Sequence, residues 1–402
     1  MKRSNVLLIT NLFPNPEEPN RGVFVFNMAA EVGKMVDLTI ISPLPWFPKW
    51  QMLKSFKNWY KFSLIPQTYT IKKQNVICPK YLAIPKAGWL HSFSLFAALL
   101  PVVWRLNKNR RFDLINAHWL FPDGVASYWI SKILKVPLVS SARGCDINHY
   151  LTYKLRRPQI LSSLRYANRI TVVSEAQKEN IIRAGISGSK INTIKNGIDI
   201  EKFRLRDKKQ CREELNVDKN ITSILFIGQL VPVKGFDYLI EAAQKLVKAG
   251  TKNFIVTVIG EGPLRPQFER KIKEMGLEGD FAFLGEQPHD KLSLWYGASD
   301  LLCLPSIREG CPNVVMEALA SGRPVVASRI GGIPELINEK NGILFTTGMV
   351  SELTKALKVA VEKKWDESEI RNSVIDCTWN KVAGKFFDVF ESVVFEKEKA
   401  NT

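Results

Sequence analysis

The chain has 402 residues and only six cysteines, Cys78, Cys145, Cys211, Cys303, Cys311 and Cys377, no two of which stand as C-x-x-C. It has four histidines and no His/Cys cluster. Neither a structural zinc site nor a disulfide framework is suggested, and a reducing cytosol suits such a chain. No run of about 18 apolar residues is found, so no membrane span is expected. The longest candidate, 95–106, carries Pro101 and ends in basic residues; it is expected to be a buried helix. The N-terminus, MKRSNVLLITNLFPNP, has only about five apolar residues in a row, too short for the apolar core of a signal peptide.

Acidic residues are scarce in one half only. Residues 1–200 hold 28 Lys/Arg against 10 Asp/Glu, and none of those acids lies between Asp37 and Asp113. Residues 201–402 hold 29 of each, so the whole net charge of +18 belongs to the first half. Such asymmetry asks for a polyanionic partner there: a membrane surface, a phosphorylated acceptor or nucleic acid. The length allows two domains with sizeable cores, and 46% hydrophobic with 24% charged residues is ordinary globular composition.

What is present is an alternation of short aliphatic runs with helical periodicity, the pattern of an α/β fold with parallel sheets. In the first half the strand-like runs are 6–10, 38–41, 113–118, 136–140 and 169–174. Gly22 opens a helical stretch after the first. His118 begins the loop His118-Trp119-Leu120-Phe121-Pro122-Asp123-Gly124, at the carboxyl end of a strand, where a doubly wound sheet places ligands. Asn196-Gly197 is a turn signal that closes this half.

In the second half the run 223–228 leads into Gln229-Leu230-Val231-Pro232-Val233-Lys234-Gly235 and an amphipathic helix over 236–248. Gly260-Glu261-Gly262 lacks the third glycine of a dinucleotide fingerprint. The most informative stretch is PSIREGCPNVVMEALASGRPVVASRIGGIP, 305–334. Glu309 stands in a turn with Gly310, Cys311, Pro312 and Asn313, and Glu317 lies about one turn inside the helix that begins near Val314. N–H groups and dipole at that helix start suit an anion. A carboxylate can accept hydrogen bonds from two vicinal hydroxyls, so one acid can hold a sugar and the other a ribose, with phosphates between them.

These residues resemble the Glu-x7-Glu motif of retaining glycosyltransferases of family four, in particular the teichuronic-acid-biosynthesis type. The resemblance covers nearly the whole chain, strongly over 220–345 and more weakly over 43–110. It implies a GT-B fold, α/β, with two Rossmann-like doubly wound domains facing across a cleft. The domains are expected at 1–198 (acceptor side) and 199–378 (nucleotide-sugar side), with 379–402 a helix crossing back to the first. The implied donor-binding residues are Gly22, Gln229, Lys234, Glu309, Gly310, Cys311, Pro312, Asn313, Val314 and Glu317. His118, Glu309 and Lys234 are implied at the reacting centre. Ser141-Ala142-Arg143-Gly144-Cys145-Asp146 resembles the family's (R/H)-G-x-D segment, so Arg143 and Asp146 are candidates for holding acceptor. The 286–289 loop is where the family holds the base.

One position departs from the pattern: the family usually has Arg where Gln229 stands, so only Lys234 keeps a charge in that loop. The implied reaction moves a sugar, with retention and without metal or cofactor, from a nucleotide-diphosphate sugar to a lipid-linked or cell-surface polysaccharide acceptor. UDP is the nucleotide the family implies. No nucleophile dyad is expected, since the leaving phosphate itself can take the acceptor's proton. A nucleotide-sugar epimerase on the same fold and a non-catalytic polyanion binder remain as alternatives; no nucleic-acid motif supports nucleic acid as the partner.

An anionic membrane surface is the expected partner of the basic half, which puts the protein in the cytoplasm at the inner face of the membrane. The stretch expected to touch it is 46–62. As a helix it would set Met52, Leu53, Phe56, Trp59 and Tyr60 on one arc and Lys54, Lys57 and Lys61 on the next.

Overall fold

A computed structural model describes residues 3–46, 57–84, 87–148, 150–251 and 253–401. The chain divides into two compact units, one of Met1–Gly197 with Trp379–Thr402 and one of Ile198–Thr378.

In the first unit the strands are, in chain order, β1 (Asn5–Thr10), β2 (Asp37–Ile41), β3 (Leu44–Pro45), β4 (Thr68–Ile71), β5 (Gln74–Ile77), β6 (Lys80–Tyr81), β7 (Leu114–His118), β8 (Leu138–Ser141), β9 (Arg169–Val172) and β10 (Ile191–Thr193). Eight of them form one sheet, in the order β10-β9-β8-β7-β1-β2-β5-β4, while β3 and β6 pair separately. Every pairing in the large sheet is parallel except β4 with β5. The central strands β1 and β7 are buried at every residue. Their near-continuous aliphatic runs are what a strand covered on both faces requires. The helices are α1 (Val23–Val32), α2 (Lys57–Leu64), α3 (His91–Asn109), α4 (Val125–Leu134), α5 (Cys145–Asn148), α6 (Arg157–Tyr166) and α7 (Glu175–Arg183). Strand order reverses between β7 and β1. The loops leaving their carboxyl ends, one reaching Gly22 and the other starting at His118, therefore meet at the switch point of this sheet.

One sequence expectation changes here. The stretch around 95–106 is not a buried helix. The apolar stretch Gly88–Asn109, a single 3-10 turn and then α3, is 22 residues long, enough by length and composition to cross a membrane. Only Ser92, Leu95, Leu99 and Val103 of α3 are buried, at intervals of three and four residues, against the sheet side of this unit. The apolar residues at 93, 97, 101 and 104 face solvent, because α3 is apolar all round and only one face has the sheet to cover it. The 46–62 stretch lies mostly outside what the structure describes. Residues 47–56, with Met52, Leu53, Lys54 and Phe56, lie outside the described residues, as do the side chains of Lys57 and Trp59. Lys61 is described, and its ammonium binds Glu18 at 2.7 Å, with Arg21 on the same carboxylate. Its charge is directed inward, toward the loop after β1.

The second unit contains α8 (Lys208–Glu214), β11 (Thr222–Ile227), α9 (Phe236–Lys248), β12 (Phe254–Ile259), α10 (Arg265–Glu274), β13 (Phe281–Phe283), α11 (Leu292–Ala298), β14 (Leu301–Leu304), α12 (Asn313–Ala320), β15 (Val325–Ser328), β16 (Gly342–Phe345), α13 (Val350–Glu362) and α14 (Glu367–Asn372). Its six strands are all parallel, in the order β13-β12-β11-β14-β15-β16. The order reverses between β11 and β14, so the loops after Ile227 and after Leu304 meet at this sheet's switch point. The last helix, α15 (Trp379–Asn401), belongs to the first unit. It packs on α1 and buries Val382, Phe386, Phe390 and Val393 in the core there.

Candidate functional site

The two loops at the β11/β14 switch point are held together tightly. Gly235 has φ +63°, and a Cβ on it would stand 2.1 Å from the carbonyl oxygen of Pro305. Only glycine lets the loop after β11 come this near the loop after β14. The Ile307 N–H donates to the Val233 carbonyl at 2.8 Å across the same seam. Lys234 is thereby carried to Glu309: its ammonium donates to Oε1 at 2.7 Å, and the Ser306 hydroxyl donates to the same oxygen at 2.7 Å. The Glu309 side chain is 10% exposed and that of Lys234 24%. A carboxylate and an ammonium thus stand together at a half-covered site, each able to turn to a ligand. Gln229, in the same loop as Lys234, is exposed.

From the other side, Gly331-Gly332 after β15 closes on the turn. Gly331 has φ +57°, and a Cβ there would lie 2.2 Å from the Glu309 carbonyl oxygen. The Gly332 N–H donates to the Gly310 carbonyl at 2.7 Å. The turn then enters α12 at Asn313, with Pro312 at the N-cap and no side chain capping the helix. The first N–H groups of α12 and its dipole supply partial positive charge beside Glu309. The Cys311 side chain is buried, its sulfur 4.0 Å from Met316 Sδ. Cys311 and the buried Pro312 therefore serve the site through backbone and turn shape, whereas Asn313 and Val314 are half-exposed.

Glu317 is 6% exposed and anchored at both oxygens. The Tyr296 hydroxyl donates to Oε2 at 2.9 Å, and His289 Nε2 donates to Oε1 at 3.2 Å. On the far side of that ring, the Lys202 ammonium donates to Nδ1 at 2.5 Å. An ammonium has no lone pair, so Nδ1 accepts and Nε2 carries the proton. Burial, reinforced by the Glu317 charge, holds the Tyr296 phenol well above its usual range, so it stays a donor. Tyr296 and Lys202 carry no motif signal in the sequence and come from other elements, whereas Ser306 lies three residues before Glu309 in the same loop. His289 alone was foreshadowed, by the expectation that the 286–289 loop contacts the base.

In the first unit, Gly22 is the left-handed N-cap of α1, φ +60°. It places the helix start at the β1 side of the switch point. His118 ends β7 and is fully buried. Its Nε2 donates to Asn116 Oδ1 at 2.7 Å, and its Nδ1 accepts from Arg143 Nη2 at 2.8 Å. The Phe386 ring stacks on it at 5.9 Å. Burial first, then the Arg143 charge, hold the imidazole well below its usual pKa, so it is a neutral ring of fixed tautomer.

The two acceptor candidates separate on inspection. Arg143 holds His118 and also reaches Asn196 Oδ1 at 3.2 Å. Asp146 does not face a ligand space. It is fully buried, and its oxygens accept the backbone N–H groups of Leu120, Arg143, Gly144 and Ile147. It ties the loop after β7 to the loop after β8, and so braces Trp119, whose φ of +82° is unusual for a non-glycine residue. Within this unit, sequence reasoning passed over Asp123, fully buried in the His118 loop, whose carboxyl is pushed well above the usual carboxylate range by burial.

With this geometry in hand, comparison with known proteins is informative. Residues 66–202 match the description Glycosyltransferase Family 4, and residues 207–376 match Glycosyl transferases group 1. The teichuronic acid biosynthesis protein named TuaC, from Bacillus subtilis, is 27% identical over 88% of each chain. The amylovoran biosynthesis glycosyltransferase AmsK of Erwinia amylovora is 31% identical over 65% of each. Among solved structures, Anabaena Alr3699/HepE in complex with UDP aligns with a TM-score of 0.73 at 21% identity, covering 97% of this chain and 100% of that one. Sucrose-phosphate synthase from Thermosynechococcus elongatus aligns at 0.77 and 16% identity, over 97% and 99%.

Proposed function

We propose that this chain, which belongs to the group 1 and family 4 glycosyltransferases with the GT-B fold, moves a sugar from a UDP-sugar to a lipid-linked or cell-surface polysaccharide acceptor, with retention and without metal. The observation that carries the reading is the Lys234–Glu309 pair at the β11/β14 switch point, with Glu317 anchored one turn into α12. Glu309 accepts hydrogen bonds from hydroxyls of the donor sugar. Lys234 turns to the diphosphate, helped by the Gln229 amide and the N–H groups at the start of α12. Glu317 accepts from the ribose hydroxyls. The reacting sugar gains positive charge as the diphosphate leaves. The groups around Lys234 stabilise the negative charge that develops on it, so preorganised electrostatics supply the rate rather than proton transfer by a side chain. HepE is described in complex with UDP, and with UDP-glucose, which supports UDP as the nucleotide here.

His118, neutral and fixed, acts within the first unit as a positioning and packing group that holds Arg143. Arg143 and the loop held by Asp146 form the acceptor side. The names of TuaC and AmsK, both polysaccharide biosynthesis proteins, support an envelope polysaccharide as the product class. The +18 charge of the first 200 residues supports a peripheral position on the anionic inner face of the cell membrane, in the cytoplasm, where a lipid-linked acceptor lies.

A thermal-shift screen against nucleotides and nucleotide sugars tests the donor: a ligand at a hundred times its Kd adds about 2.7 kcal/mol. Stabilisation by UDP and UDP-sugars supports the reading, and none by any nucleotide overturns it. Release of UDP with formation of an acceptor-linked sugar separates transfer from epimerisation, and the anomeric configuration of the product by NMR tests retention.

A further inference from the structure

The outer face of α3 raises a question that the nucleotide site does not answer. Phe93 is 46% exposed and Trp104 45%, on a helix whose solvent side carries few polar groups to justify it. Three helices contribute to this face: α3 packs on α4, and α4 on α6, with Tyr128 and Trp129 of α4 half-buried between the exposed rings. Trp89 meets Phe93 edge-on at 6.5 Å, and Phe93 stacks on Trp129 of α4 at 4.8 Å. Tyr128, beside Trp129, meets Tyr166 of α6 at 4.9 Å. Exposed aromatic rings on α3 and α6 are thus linked through half-buried rings of α4. Exposed patches of this extent mark an interaction surface.

Charge selects the partner. Neither α3, α4 nor α6 contains an Asp or Glu. Their exposed cations include Lys108, whose ammonium lies 5.9 Å over the Trp104 ring, Lys132 near the end of α4 and Arg165 beside Tyr166. Aromatic rings flanked by Lys and Arg, with no acid among them, suit the headgroup boundary of an anionic bilayer.

We infer that the α3–α4–α6 face is a surface by which the first unit docks on an anionic membrane, with Phe93 and Trp104 entering the interface and Lys108, Lys132 and Arg165 facing headgroup phosphates. This rests on the peripheral-membrane reading above and names the surface responsible. An RNA would also meet aromatics and cations, but it would leave the apolar run of α3 without an apolar environment.

Co-sedimentation of the full chain with vesicles tests the assignment. The vesicles are equal parts phosphatidylglycerol and phosphatidylcholine, with phosphatidylcholine alone as the control. Wild-type protein is expected to bind the anionic vesicles, less so with added salt, and to leave the neutral ones largely unbound. Phe93→Glu/Trp104→Glu should weaken binding by about tenfold or more. Lys132→Glu/Arg165→Glu, an independent pair on other helices, should lower binding and flatten its salt dependence. Circular dichroism melting of each variant checks the fold, which exposed positions should leave intact. No binding by wild-type protein, or equal binding to neutral vesicles, removes the membrane reading and this surface together. Wild-type binding by both variants removes only this surface and returns the membrane contact to 46–62.

Discussion

Lys234 donates to Glu309 at 2.7 Å across the seam between the loops after β11 and β14. In the proposed reaction a donor's phosphates and sugar meet at this pair, and ligand entry exchanges one charge-assisted bond for two. Replacing either residue should therefore act on different parts of the reaction. Lys234→Ala should weaken UDP and UDP-sugar alike, by about tenfold or more, because an ammonium–phosphate contact is lost. Gln229→Arg should tighten both or leave them unchanged. Titration calorimetry with UDP reads both; unchanged UDP affinity in Lys234→Ala would show that the phosphates lie elsewhere.

Glu309→Ala should lower kcat by orders of magnitude, since contacts to the reacting sugar strengthen in the transition state. Glu317→Ala should mainly raise KM for the donor. Steady-state kinetics with varied donor separates the two. Wild-type turnover in Glu309→Ala would remove the proposed mechanism.

Tyr296→Phe deletes the hydroxyl that anchors Glu317 Oε2 and leaves the ring in place. It should raise donor KM several-fold with little change in kcat, and cost about 1 kcal/mol of stability. A fall in kcat alone, with KM intact, would show that Glu317 is not oriented by this bond.

Gly331→Ala should displace the Glu309 turn, because its Cβ would stand 2.2 Å from that residue's carbonyl oxygen and its φ is +57°. A cost of about 1–3 kcal/mol and a large loss of turnover are expected. Thermal melting and initial rates check this, and a variant as stable and active as wild type would refute the account of the turn.

His118 provides a pH test. Its folded pKa is lowered, so below the usual histidine value of about 6.5 the unfolded chain binds a proton that the folded chain refuses. Stability from this residue is present above that pH and is lost as pH falls below it, with a slope of at most about 1.4 kcal/mol per pH unit. His118→Gln should flatten that slope between pH 6.5 and 5 in urea unfolding. An identical slope in both proteins would contradict a buried neutral ring. Turnover, for its part, should persist in EDTA.

The alternation of short aliphatic runs with helical periodicity by itself determined an α/β fold with parallel sheets, and the two doubly wound domains came with the resemblance to family four. Runs such as Val6-Leu7-Leu8-Ile9 and Leu301-Leu302-Cys303-Leu304 are apolar on both sides, as a parallel strand covered on both faces requires. The sequence also determined the relation of Glu309 to Glu317, because eight residues from a turn into a helix place the second acid about one turn inside, whatever the surroundings. Residues that reach the acids from elsewhere were not legible. Tyr296 and His289 are 21 and 28 positions from Glu317, and their meeting depends on how α11 and the loop before it pack beside α12. Asp146 reads in sequence like a ligand-facing acid, yet its burial and four backbone N–H partners make it a brace between loops. For α3 the apolar composition was plain, but a helix apolar on all faces carries no periodicity to say which face the sheet will take. Packing against the sheet buries Leu95, Leu99 and Val103 and leaves Phe93 and Trp104 in solvent, a choice made only when the neighbouring elements are in place.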